Sequence, residues 1–137
     1  MASVDYSDLD RDGQRREGKS ASTYDASSDV TNTTSTCVVG YSPQKIRLRA
    51  VYIVCTKAWA VGTSVAFTLG NATTASAYAS GTVTLAQMSV VGAAQALTLA
   101  DTNVEVEAGY AMIMTATKSG SMTGNYEVYY VYDYVAD

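Results

Sequence analysis

Apolar and small polar residues alternate with period two through most of the chain after Cys37, the spacing that sends successive side chains to opposite faces of a β-strand. Helical periodicity is nowhere sustained, and Gly, Thr and Val are too frequent for long helices. Within Lys45 to Thr56, the alternation puts Ile46, Leu48, Ala50, Tyr52 and Val54 on one face. Lys45, Arg47 and Arg49 begin the other face, which turns apolar at Val51 and Ile53. A strand that starts half-exposed and ends covered on both sides fits a chain running into the middle of a sandwich.

The same reading predicts strands over Thr36 to Tyr41, Ser64 to Leu69 (Val65, Phe67 and Leu69 inward), Gly81 to Leu85 (Val83 and Leu85 inward) and Ala94 to Leu99. Val104 to Val106, Tyr110 to Thr117 and Asn125 to Val135 follow, with turn signals at Gly62-Thr63, Gly70-Asn71, Gly92, Asp101 to Asn103, Ala108-Gly109 and Ser119-Gly120. Asn71 to Ser80 fits either a strand or a loop. The sum is an all-β chain, an antiparallel jelly-roll-like β-sandwich of about eight strands. In the last strand Tyr126, Val128, Tyr130, Tyr132 and Tyr134 share a face opposite Glu127, Tyr129, Val131, Asp133 and Val135. Neither face is simply polar, so the strand is expected to be central or to lie at a subunit contact, with Tyr126, Tyr130, Tyr132 and Tyr134 in the core or the interface.

The first thirty-five residues break this pattern. From Asp10 to Asp29 there is no Val, Ile, Leu, Phe, Met or Trp, and charges alternate in sign through Arg11, Asp12, Arg15, Arg16, Glu17 and Lys19. Such a stretch buries too little apolar area to offset the entropy of ordering itself. The expected organisation is an extended polar arm over 1–35 and a β-sandwich domain over 36–137.

Composition narrows the chemistry. A net charge of −4, with only 9 Lys and Arg in 137 residues, argues against nucleic acid as a partner. No signal peptide is visible at the first residues and no run approaches the roughly 18 apolar residues of a membrane span, so assembly in a cytoplasm without membrane partners is expected. Cys55 lies in an apolar run and reads as a buried thiol in preference to a bridge to Cys37. No His is present, which removes the commonest general base and the commonest metal ligand. Asp8-Leu9-Asp10-Arg11-Asp12-Gly13 opens like a calcium loop, but Lys19 stands where its closing Glu belongs and Arg15 where an apolar residue belongs. Glu105 and Glu107 read as the outward face of a strand whose Val104 and Val106 point in. The expectation is a protein without catalytic residues, metal or cofactor. The tyrosines leave one binding alternative open, a sugar platform in which Tyr129, Glu127 and Asp133 supply hydrogen bonds.

The polar arm (DRDGQRREGKSASTYD), the long first strand (KIRLRAVYIVCTKA), the small-residue hairpins (GTSVAFTLGNATTASAYASGTVTL, TLADTNVEVEAGYAMIMTAT) and the aromatic last strand (NYEVYYVYDYV) together resemble tailed-bacteriophage head decoration, or cement, proteins with a jelly-roll core. The resemblance implies a homotrimer on the outside of a phage capsid, assembled in the host cytoplasm and clamping neighbouring major capsid subunits. In that reading the arm helps docking, with Val4, Tyr6 and Leu9 as apolar anchors and Arg11, Arg15, Arg16 and Lys19 meeting acidic capsid patches. The rival reading is a head or tail fibre module that binds surface carbohydrate.

Overall fold

A computed structural model describes residues 34–135 in full and, ahead of them, the backbone of Arg15–Lys19 and Tyr24–Asp25. The short early strands are β1 (Arg15–Lys19) and β2 (Tyr24–Asp25), followed by β3 (Thr34–Tyr41), β4 (Ile46–Ala60), β5 (Ser64–Gly70) and β6 (Ala79–Thr84). A single 3-10 turn, Ala86–Met88, precedes β7 (Ala94–Ala96), β8 (Thr98–Leu99), β9 (Val104–Val106), β10 (Ala111–Ser119) and β11 (Thr123–Tyr134). No α-helix occurs among the described residues.

All pairings are antiparallel, and one set is nested: β1 and β2 pair with β11, β3 with β10, β4 with β9 and β7, and β5 with β6, while β8 adds to the outer side of β6. Strands from the two ends of the chain thus pair as if one long hairpin had been closed. Rolling that hairpin adds the lateral pairs β4 with β11 and β5 with β10, which makes a jelly roll of two packed sheets. One sheet runs β1-β11-β4-β7, with β2 beside β11 and β9 beside β4; the other runs β3-β10-β5-β6-β8. The all-β sandwich expected from the alternation is therefore the observed architecture.

The expected strand limits hold to within a few residues, with two departures. Ala94 to Leu99 is not one strand: β7 joins the first sheet and β8 the second, with Leu97 buried at the crossing. Asn71 to Tyr78 is a loop, held by the Asn71 Oδ1, which accepts from the Thr73 and Thr74 amides at 2.9 and 2.8 Å.

The larger correction concerns β4. Ile46 and Leu48 face the core, but Ala50, Tyr52 and Val54, which unbroken alternation puts on the same face, do not; Val51, Ile53 and Cys55 do, each at most 1% exposed. Leu48 pairs with Tyr132 and Ala50 with Val131, so Arg49 is an extra residue with no partner of its own in β11. A one-residue bulge reverses which alternate positions point inward. Thr56 is a second such residue, between Cys55↔Tyr126 and Lys57↔Asn125.

The core fills the space between the sheets with Ile46, Leu48, Val51 and Ile53 from one side and Val65, Phe67, Leu69, Met112 and Met114 from the other. Trp59, Phe67 and Tyr126 form an aromatic cluster across the gap, with ring centroids 5.1 to 6.5 Å apart. The Trp59 indole donates to the Asn125 carbonyl at 3.2 Å. Gly124 makes room for that indole: a Cβ there would lie 2.6 Å from Trp59 Cδ1, and its φ of +118° disfavours any side chain.

Candidate docking surfaces

The proposed docking residues divide by position. Val4, Tyr6, Leu9 and Arg11 lie outside the described residues, as does the acidic segment Asp8 to Gly13. Arg15, Arg16 and Lys19 stand on β1, opposite Asp133, Tyr132 and Tyr129 of β11.

Tyr126, Tyr130, Tyr132 and Tyr134 of β11 point between the sheets. Tyr126 and Tyr130 are buried, while Tyr132 and Tyr134 are half-buried against the core. Tyr130, Tyr132 and Tyr134 stack in series, with centroids 5.6 and 5.7 Å apart. Tyr130 reaches across to β3, where a Cβ on Gly40 would lie only 2.5 Å from its oxygen. Burial pushes the Tyr130 phenol up, and the neighbouring Tyr134 adds to the shift.

Because of the Arg49 bulge, an apolar set lies on the outer side of the first sheet. Tyr52 and Val54 of β4, Ala94 of β7 and Tyr129 and Val131 of β11 line an almost wholly apolar groove of about 310 Å³. Tyr52 is 37% exposed. Alternation placed Tyr52 and Val54 on one face with Ile46 and Leu48, in a strand expected to end covered on both sides, so this surface was missed. Only the extra residue in β4 reveals it, and bulges have no reliable sequence signal. The Tyr129 hydroxyl donates to Glu127 at 3.3 Å beside the groove.

Charges gather at one end of the same face. Arg47 donates to Glu105 at 2.9 Å across the β4 and β9 pair, and Lys45 lies 3.1 Å from Glu105 and 3.6 Å from Glu107. The hydrogen bonds from Arg47 and then Lys45 hold the Glu105 carboxyl below the usual range, and the same contact with Glu105 raises Lys45. Val104 and Val106 are buried, so β9 has the inward and outward faces expected of it. Arg49 donates to Asp133 at 2.5 Å, and the Asp133 side chain is only 8% exposed.

Neither cysteine is bridged. Cys55 is buried beside the Met88 carbonyl at 3.4 Å, and desolvation raises its thiol, the opposite of what a nucleophile needs. Among the described residues no group of three or more His, Cys, Asp or Glu could hold a metal ion, and no helix is long and apolar enough to cross a membrane. Glu105 and Glu107, the two acids of the cluster with Lys45 and Arg47, are both engaged by cations.

No protein-family model and no curated protein matches the sequence. Among solved structures, a chain of the cyanophage Pam1 capsid asymmetric unit superposes with a TM-score of 0.63 at 16% identity, covering 91% of this chain and 87% of that one. A chain of the virus-like particle of the giant freshwater prawn Macrobrachium rosenbergii extra small virus matches with a TM-score of 0.42 at 14% identity, over 90% of this chain and 80% of that one. The second superposes too loosely to add to the comparison. The first is a chain of comparable length, since the alignment spans similar shares of both, and it has the fold described above.

Proposed function

We propose that this chain is a non-enzymatic structural virion protein that binds the outside of a phage capsid and stabilises contacts between major capsid subunits. The observation that carries the reading is the jelly roll itself, whose likeness to a chain of a phage capsid asymmetric unit extends over nine-tenths of this chain. The charge pattern of the early residues and the small size of the domain agree with a protein whose work is contact.

In this reading the segment ahead of β1 is the grip. Val4, Tyr6 and Leu9 supply apolar anchors, and Arg11, with Arg15, Arg16 and Lys19 following on β1, meets acidic capsid patches. A segment that orders on binding loses part of its contact energy but spans more than one subunit, and the copies in a homotrimer turn weak grips into avidity.

Co-sedimentation with empty shells of the phage's major capsid protein tests the docking role. The chain cut before Arg15 is the informative variant, because a cut further on would strip β1 from β11 and bare a sheet edge. The full chain is expected in the pellet at a fixed ratio to the capsid subunit, and the shortened chain to bind at least ~10-fold more weakly. Equal binding by both would remove the grip from the segment, and absence of the full chain from the pellet would remove the capsid role.

A further inference from the structure

Among the described residues, the outer face of the second sheet holds no charged side chain, although the chain has 9 Lys and Arg and 13 Asp and Glu. Cross-strand register sets out what it does hold. Thr36, Thr115, Thr68 and Ser80 form one row across β3, β10, β5 and β6. Thr34, Thr117, Ala66 and Thr82 form the next, with Thr34 and Thr117 hydroxyls 3.2 Å apart. Lys118, the one charged residue of β10, points the other way and is buried.

At one end this hydroxyl field becomes apolar. A bulge at Val39 brings both Val38 and Tyr41 to the outer side, opposite Ile113 and Ala111. Val38, Tyr41 and the neighbouring Tyr110 are 58, 63 and 51% exposed, which makes this the largest gathering of exposed apolar side chains on either sheet among the described residues. Beside them Tyr110, Asn71, Thr73 and Ile113 border a groove of about 290 Å³, room for an aromatic side chain.

Aromatic anchors set in a charge-free field are the composition of an interface centre and not of a solvated surface. The chemistry also says what fits. A partner presenting ions would have to bury them unpaired against hydroxyls and methyls, at a heavy desolvation cost. A copy of the same face meets no such penalty, because every Thr and Ser hydroxyl both donates and accepts, and two sheets of equal twist stack face to face. Four strands of seven residues cover about 450 Å² in projection, so two copies remove about 900 Å² or more from water, close to where specific interfaces begin.

We propose that this face is where copies of the chain join. It takes the place of the tyrosine strand, which lies inside the sandwich, as the contact between subunits. A face stacked on its own copy closes at two chains, so the inference takes from the proposed function only that copies associate, puts a pair where that reading has a homotrimer, and does not rest on the capsid partner. Its area makes the association concentration-dependent.

Light scattering on the full chain across a concentration series, with about 0.05 M and about 0.5 M salt, reads the outcome. The expected mass rises with concentration from 14.5 kDa toward twice that value and is insensitive to salt. The paired change Thr36→Glu and Thr82→Glu is expected to weaken association at least ~100-fold while the circular dichroism stays native. Ala94→Glu, on the outer side of the first sheet, is expected to leave it unchanged. Should the charged pair fail to fold, Val38→Ser with Tyr41→Ser tests the same face without new charge, and is expected to weaken association at least ~10-fold. A monomeric full chain, association that survives these changes, or dissociation by Ala94→Glu instead would overturn the proposal. A monomer that still pellets with capsid shells would overturn it and leave the capsid role standing.

Discussion

Arg49 has two tasks at one position. As the extra residue of the β4 bulge it turns Val51 toward the core, and its guanidinium neutralises Asp133, whose second oxygen, Oδ1, is buried without a hydrogen-bond partner. A carboxylate in an alternating strand reads from sequence as outward and solvated. The Asp133 side chain is nevertheless only 8% exposed, and its cross-strand neighbours, Arg47 of β4 and Arg15 of β1, come from distant parts of the chain. Arg49→Ala removes the hydrogen-bonded cation from a nearly buried carboxylate and is expected to cost about 1–3 kcal/mol in urea unfolding, discounted because the arginine itself is partly exposed. Lys57→Ala, at an exposed position of the same strand, is expected to stay within about 0.5 kcal/mol. Equal losses at both positions would contradict the Arg49 account. Other residues were legible because only local alternation mattered: Val65, Phe67 and Leu69 on β5 face inward as their spacing predicts.

At the scale of the element, the existence of the strands was legible and the facing of the longest one was not. Unbroken alternation through β4 puts Tyr52 on the face of Ile46 and Leu48 and Val51 on the face of Arg47 and Arg49, whereas the bulge exchanges them. Val51→Glu is accordingly expected to destabilise the protein by more than about 4 kcal/mol or to abolish folding, because it buries an unpaired carboxylate. Tyr52→Glu, facing the outer groove, is expected to cost less than about 1.5 kcal/mol in the same denaturation series. The reverse order would restore the unbroken alternation. The split of Ala94 to Leu99 into β7 and β8 has a similar cause: the residues keep strand propensity, but Leu97 marks a passage from one sheet to the other that no period records.

For the whole molecule, the pH response follows from which groups folding perturbs. Glu105 is held low, so its contribution is present above its unfolded value of about 4.3 and lost as pH falls through the folded value. Lys45 is held high; its contribution is complete below about 10.4 and lost as pH rises through the folded value. Cys55 and Tyr130 are raised by burial, so folding favours their neutral forms, and that preference becomes a loss of stability above about 8.5 and about 10 respectively. With no His in the chain, little titrates between. Thermal unfolding followed by circular dichroism is expected to give a midpoint flat between about pH 5 and 8, falling below about pH 4 and above about pH 9. A step near pH 6.5 would contradict this.

The amino-acid sequence by itself determined that this is an all-β chain of short antiparallel strands, which of its residues are apolar enough to form a core, and that its early residues differ in kind from the rest. Those are local properties: side-chain alternation, turn chemistry and the apolar area available for burial. Tertiary structure alone decided that Tyr52, Val54, Tyr129 and Val131 share an outer groove and that Asp133 is enclosed. It also decided that the hydroxyls of β3, β10, β5 and β6 merge into one uncharged face. Each depends on register between strands distant in sequence, where one extra residue in one strand changes which side chains meet.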